Sequence, residues 1–438
     1  MTYSILKYIV KIGLFFYYRK IKIDNKNILN TEGPCIIVAN HPNTLIDAWL
    51  IGSIMPRQPF FMAKATFFKG KFRSKLLKNF GMIPINRKGE GTTEGVSNAN
   101  SFLACYEILE EGEVLTIFPE GSSFQERRLR EIKSGTARIA LETIRRNGSN
   151  FPLKIIPIGI NYLDPEKFRS DIVIKIGTPI LVSDFYHAED NSDSKSAKRL
   201  TEKIRMSLEL LLFNSDSKED EELVEEFHSV LGLKYMNNEN TAASNNVEQI
   251  REIRDKIIEW NIGAPWKLTE AKALLEEVKF EIDNDGIASH FLDRNIRLRM
   301  FLRQLIFSSI FLILALPLFI FGCIHNLAQY LLTDFLVSKI TKEVEYYAPI
   351  AVLLGLLLYP TVYILFMIYV PQALHLSFLE RCIYGFSLPT TGFFAYFFYN
   401  YKGHVMLKWR YFNIARHKRT EVRDLQKKKE KLRALFSE

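Results

Sequence analysis

His41 stands where an apolar run, Pro34-Cys35-Ile36-Ile37-Val38-Ala39, breaks off, and Asp47 follows after five intervening residues, Pro42 to Ile46. Imidazole is the side chain best suited to take a proton from an alcohol near neutral pH, provided that a carboxylate fixes its tautomer and offsets the charge it gains. His41 and Asp47 can form such a pair. Two further polar groups stand at the ends of apolar runs. Arg87 closes Gly81-Met82-Ile83-Pro84-Ile85-Asn86-Arg87, and its guanidinium can grip a phosphate through two parallel hydrogen bonds. Glu120-Gly121 follows Val114-Leu115-Thr116-Ile117-Phe118-Pro119, where glycine permits tight backbone geometry and the acid can order a loop or bind a hydroxyl. Plainer readings stand beside these: His41 as a turn residue, Asp47 as a helix-start acid favoured by the dipole, Arg87 as a surface charge. Taken singly, the residues leave both readings open.

The elements that must position them follow from the same stretches. The Ile/Val run before His41 reads as a strand covered on both faces, and Asn43-Thr44 can cap a helix whose first turn holds Asp47. His41 then lies in the turn, and because the two do not share a helical face their pairing depends on that turn. Ser101 to Glu111 reads as an amphipathic helix, Lys133-Ser134-Gly135 opens a helix through Arg146, and Leu153 to Ile160 and Asp171 to Ile176 read as strands, the first around Pro157. Strands alternating with helices over residues 30 to 210 call for an α/β domain with functional groups at strand ends, and a mixed sheet flanked by helices is the expected form, although the strand order is not readable from the sequence. The acidic stretch from Asp216 to Glu226 and the Asn/Ala/Ser linker from Asn237 to Asn246 end this domain near residue 235. Charged helices over 247–260 and 269–282 then form a connector within residues 236–300.

With 438 residues, 47% hydrophobic, the chain has room for a membrane region. Leu305 to Ile324 is 20 residues without a charge and Ala348 to Val370 is another 23, each long enough for a hydrocarbon core of about 30 Å. A third apolar stretch, Ile383 to Tyr399, is interrupted by Gly385, Pro389 and Gly392 and reads as a re-entrant or in-plane element, with a third span as the alternative. Arg294, Arg297, Arg299 and Arg303 put the start of the first span in the cytoplasm, to which the second returns. Residues 401–438 carry 12 Lys/Arg against 4 Asp/Glu, most of the chain's net charge of +9. So close to apolar segments, this tail favours contact with anionic lipid heads over nucleic acid.

Residues 1–20 place Ser4, Lys7 and Lys11 on one helical stripe and Ile5, Ile9, Ile12 and Phe16 away from it, which suits a retained interfacial helix or a surface helix packed on the domain. Thr66 to Phe80 interleaves aromatic and basic residues and suits a headgroup boundary or an ordinary amphipathic helix equally. The cysteines at 35, 105, 323 and 382 show neither a disulfide framework nor metal-ligand spacing.

In order and spacing, Asn40-His41…Asp47, Gly81…Ile85-Asn86-Arg87, Phe118-Pro119-Glu120-Gly121 and Ile156-Pro157-Ile158 resemble the four blocks of the glycerolipid acyltransferases, enzymes that acylate glycerol-3-phosphate or lysophosphatidate. The resemblance covers roughly residues 20 to 215. It implies that His41 is the general base, that Asp47 orients it, that Arg87, Glu120 and Gly121 hold a phosphorylated acceptor, and that Pro157 shapes the site or its acyl-chain side. It also implies an acyl-CoA or acyl carrier protein thioester as co-substrate, no metal or other cofactor, a lipid bilayer as partner, no nucleic acid, and a catalytic domain facing the cytoplasm. Two departures bear on the acceptor. Five residues separate His41 from Asp47 where four are common, a variant seen in some glycerol-3-phosphate acyltransferases. Ser122-Ser123 stands where Thr-Arg is usual, so a basic contact has to come from Arg127, Arg128 or Lys133. Another lysophospholipid or an amine-bearing lipid is therefore an alternative acceptor. A non-catalytic lipid-binding or transport protein is the alternative of another class, although the apolar spans lack charged pathway residues.

Overall fold

The computed structural model describes residues 2–86, 97–125, 128–186, 193–212, 218–231, 242–293 and 298–437. The chain divides into two compact units, residues 1–215 with 341–352, and residues 216–340 with 353–438. The first unit therefore ends about twenty residues before the boundary near 235 expected from composition.

The first unit opens with α1 (Thr2–Tyr17) and β1 (Lys20–Asp24), followed by β2 (Cys35–Ala39), α2 (Thr44–Ile54), β3 (Pro59–Lys64), α3 (Lys71–Asn79) and β4 (Met82–Ile85). After these come α4 (Asn98–Glu110), β5 (Val114–Ile117), α5 (Gly135–Asn147), β6 (Lys154–Tyr162), β7 (Asp171–Ile176), β8 (Ile180–Leu181) and α6 (Asp193–Glu209). The sheet runs β1-β7-β6-β2-β5-β3-β4, with β8 also on β6. β6, β2, β5, β3 and β4 are mutually parallel, and β7 returns antiparallel on β6. A mixed sheet flanked by helices is thus the architecture of this unit.

Alternation along the strands decides which helices cover which face. Ile36, Val38, Leu115, Ile117 and Ile155 join Cys105 and Leu109 of α4, Ala140 and Ile144 of α5, and Leu200 and Ile204 of α6 in one core. Phe61 points to the other face, where Gly52 of α2 lies against it. The central strand β2 is buried at every position, which explains its unbroken apolar sequence. Pro157, which has no N–H to give, sits where the outer partner of β6 changes from β8 to β7, and its carbonyl there accepts from Gly177 N–H at 2.8 Å.

In the second unit, α7 (Lys218–Leu231), α8 (Ala242–Gly263), α9 (Pro265–Asp285) and α13 (Arg419–Ser437) pack together. The aromatic contact is made by Phe227, Trp260 and Phe436. The basic tail expected to meet lipid heads is in large part this last helix, and most of its basic residues pair with acids inside the unit. Lys428 bridges Glu277 and Glu281 of α9, Lys431 pairs with Glu270, and the buried Lys429 pairs with Asp293. The acidic residues of the connector account for that difference, because they supply counter-charges that composition of the tail alone does not reveal.

The remaining elements are α10 (Leu298–Ile340), α11 (Tyr347–Ala373) and α12 (Phe378–His417). By length and composition α10 and α11 are long and apolar enough to cross a membrane. Residues 383–399 are not a broken element: they lie inside the continuous 40-residue α12. The glycines serve packing, since a Cβ on Gly392 would come within 2.6 Å of Asn326 in α10. Thr341–Val352, which joins α10 to α11, belongs to the first unit, with Thr44 Oγ1 donating to Glu345 O at 2.9 Å. Of the arginines expected to put the start of the first span in the cytoplasm, Arg294 and Arg297 lie outside the described residues.

Candidate active site

The parallel strands end along one edge of the sheet, and the polar groups converge there. β2 stops at Ala39, and Asn40 extends the ladder with its side chain: Nδ2 donates to Ile160 O at 2.9 Å and Oδ1 accepts from Ile160 N–H at 2.8 Å. The backbone is thereby free to turn at His41. Its N–H donates to Glu120 Oε1 at 2.9 Å, and its carbonyl accepts from Phe124 N–H at 3.2 Å. The chain then enters α2 through Thr44, held at φ +38° with its N–H on Ser123 Oγ at 2.9 Å.

This turn brings the two candidate residues together. His41 Nδ1 lies 2.9 Å from Asp47 Oδ2. Asp47 is fully buried, while the side chain of His41 retains 13% exposure. Asp47 Oδ2 also accepts from Asn43 N–H at 2.7 Å, so Asp47, rather than the side chain of Asn43, satisfies the start of α2. Asp47 Oδ1 accepts from Tyr162 O–H at 2.6 Å. A buried carboxylate with three donors is the condition under which a charge survives away from water. With Asp47 accepting from Nδ1–H, the imidazole carries its free lone pair on Nε2, for which no partner exists among the described residues.

Glu120 is buried at the base of the same turn. Burial pushes its carboxyl up to about 7, against the backbone N–H groups of His41 and Arg130 that favour the ionised form; the charge of Asp47 adds to the rise. Its contact on His41 makes it a brace for the turn. Gly121 follows at φ +78°, with the Lys133 side chain lying along it. Arg130 stands over the Phe124 ring at 3.4 Å. Pro157 pairs in register with Val38 and packs against Gly177, three residues below His41 within the sheet. Arg87 lies outside the described residues, as does Arg127; β4, which leads to Arg87, points to the same edge as β2 and β5.

Two parts of this constellation were not legible as motif residues. Tyr162 is 115 residues from Asp47 and reads in sequence as the last residue of an apolar strand. Tyr18, buried beside Tyr162 with ring centroids 6.2 Å apart, reaches the site because β1 delivers it from the end of α1. Burial first, then neighbouring Tyr17 and the charge of Asp47, hold the Tyr18 phenol well above its ordinary range.

Comparison with known proteins finds similarity over part of the chain. Residues 20–161 match the acyltransferase family model. Glycerol-3-phosphate O-acyltransferase 1 of Saccharomyces cerevisiae is 35% identical over 109 residues, which cover 24% of this chain and 14% of that protein. The 1-acyl-sn-glycerol-3-phosphate acyltransferase of Bacillus subtilis is 29% identical over 107 residues, covering 24% of this chain and 50% of its own length. A 1-acyl-sn-glycerophosphate acyltransferase structure from Thermotoga maritima aligns with 47% of this chain and 79% of its own, at 19% identity and a TM-score of 0.34, too low to argue from. The aligned stretches thus span a small part of the yeast relative and half of the bacterial one. The His41–Asp47 edge falls inside residues 20–161, the segment that matches the acyltransferase family model and is similar to the glycerol-3-phosphate and 1-acyl-sn-glycerol-3-phosphate acyltransferases.

Proposed function

We propose that this protein transfers a fatty acyl chain from a coenzyme A or acyl carrier protein thioester to a hydroxyl of glycerol-3-phosphate or 1-acylglycerol-3-phosphate, at a membrane surface facing the cytoplasm. The observation that carries this reading is the His41–Asp47 pair, 2.9 Å apart, with the carboxylate sealed and the imidazole open at the end of the sheet. His41 Nε2 takes the proton of the acceptor hydroxyl as its oxygen attacks the thioester carbonyl. The tetrahedral intermediate collapses, the C–S bond breaks, and the departing thiolate receives the proton from the imidazolium. Asp47 keeps Nδ1 protonated and steadies the positive ring between the two transfers. The thioester is already activated, so holding the two substrates together supplies much of the remaining advantage.

A phosphorylated acceptor is supported by the similarity to glycerol-3-phosphate and 1-acyl-sn-glycerol-3-phosphate acyltransferases and by the Lys133 side chain lying along Gly121, one residue beyond Glu120. Membrane association is supported by the two long apolar helices and by α1, where Ile5, Ile9, Ile12 and Phe15 are exposed.

The test is acyl transfer by purified full-length protein beside His41→Ala, with labelled acyl-CoA and acyl carrier protein donors and both acceptors. Transfer that falls by about 10²- to 10⁴-fold in the variant supports the base role. Transfer only to a lysolipid without a free phosphate moves the acceptor to another class. Equal rates in the two proteins, or none with any donor and acceptor, defeat the reading.

A further inference from the structure

We infer that Tyr162 is a positioning residue of the transfer reaction, its phenol locking the Asp47 carboxylate in the orientation that steadies His41. The inference rests on the base role proposed for His41. The carboxylate of Asp47 has two oxygens with different duties. Oδ2 faces the imidazole and the Asn43 N–H; Oδ1 has Tyr162 as its one hydrogen-bond partner among the described residues, at 2.6 Å. A carboxylate held at one oxygen only can swing about its Cβ–Cγ bond or draw a proton, and either change loosens its hold on the ring. The phenol removes both options by satisfying the second oxygen with a short, charge-assisted hydrogen bond.

The position of that phenol is set by the sheet. Tyr162 pairs with Ile172 in β7, and two residues earlier Ile160 is clamped from both sides of its backbone by the Asn40 side chain. The same clamp fixes the residue that precedes His41. One rigid connection therefore locates both ends of the His41–Asp47–Tyr162 series. Water has little access, because Tyr162, Tyr18 and Asp47 are all buried. Burial, and after it the negative charge of Asp47, hold the Tyr162 phenol well above its ordinary range, so the hydroxyl stays a donor throughout the working pH range.

Tyr162→Phe keeps the ring and removes only the donor. We expect kcat to fall by about 10- to 100-fold, the scale of one charge-assisted hydrogen bond, with KM for donor and acceptor unchanged. A second readout does not need turnover: the downfield proton resonance of His41 Nδ1–H, identified by its loss in His41→Ala, should move further downfield. With the phenol gone, Asp47 becomes a stronger acceptor. Placing 3-fluorotyrosine at position 162 restores the donor and should restore both quantities. An unchanged kcat with an unmoved resonance overturns the inference, as does a loss of rate that tracks only a loss of folded protein in a thermal melt. If the wild type acylates no acceptor, the proposed function fails, and the resonance alone decides the role of Tyr162.

Discussion

The imidazole of His41 lies flat on the ring of Phe118, with centroids 4.0 Å apart and planes 10° from parallel. Phe118 is the residue after β5, the strand beside β2, so neighbouring strands deliver the ring and the base to one place. The stack opposes rotation of the imidazole and keeps Nδ1 toward Asp47. Phe118→Leu preserves apolar volume but offers no flat face. Aromatic pairs are worth about 0.5–1.5 kcal/mol beyond burial, so kcat at saturating substrates should fall by about 2- to 10-fold. Phe118→Tyr, which keeps the face, should retain the wild-type rate.

Glu120 predicts a pH dependence of stability. Burial pushes its folded carboxyl up to about 7 from an ordinary value of 4.5, so the folded state binds the proton more tightly than the unfolded one. Below the unfolded value both states are protonated and the contribution is at its most favourable. As pH rises from there to about 7 the unfolded state ionises first, and stability falls by about 3 kcal/mol before levelling off. Thermal melts of wild type and Glu120→Gln at pH 5, 6, 7 and 8 test this: the wild type should lose stability across that range, and the variant should lose much less. The amide can still accept from His41 N–H, so the variant's KM for the acceptor should stay near wild type; a large rise would instead make Glu120 an acceptor ligand.

These relations show what sequence can and cannot reveal here. β2, β5 and β7 are legible because strands covered on both faces must be apolar throughout, and His41 and Glu120 because polar residues abruptly end such runs. β1 is hidden by its mixed Lys20-Ile21-Lys22-Ile23-Asp24 pattern, natural for an edge strand at intermediate burial throughout. The hydrogen bond from Tyr162 to Asp47 depends on the register of β6 against β2, which no local spacing encodes. The helix through Gly385, Pro389 and Gly392 persists because close packing against α10 uses the small residue that intrinsic propensity would count as a break.

Gly121 is constrained twice. Its φ of +78° disfavours any side chain, and a Cβ there would lie 3.1 Å from Lys133 Cε and 3.2 Å from Cδ. Gly121→Ala should therefore destabilise the protein by about 1–2 kcal/mol through the backbone alone, seen as a lower melting temperature. Adding Lys133→Ala should recover the part that comes from the displaced side chain and leave the backbone part. If the double variant melts no higher than the single, Lys133 makes no contribution to the constraint at Gly121.

α1 carries a run of large apolar side chains that the rest of its unit leaves uncovered, beside the buried Leu14 and Tyr17. Lys7 Nζ donates to Met55 O at 2.5 Å and Tyr3 O–H to Gly52 O at 3.3 Å, so polar groups face α2. Tyr8 and Phe15 are 69% and 68% exposed, and Ile5, Ile9 and Ile12 are exposed beside them. A solvated surface helix would show the opposite arrangement. An interfacial helix with its apolar face about 5–10 Å deep at the headgroup boundary fits it. The check is a Phe15→Trp variant, with the four native tryptophans replaced by Phe, reconstituted in vesicles. Lipids brominated near the headgroup end of their chains should quench its emission more strongly than lipids brominated at the chain ends, and Ile12→Glu should weaken the effect. Emission insensitive to either lipid would leave α1 as a helix whose apolar surface meets something other than the bilayer.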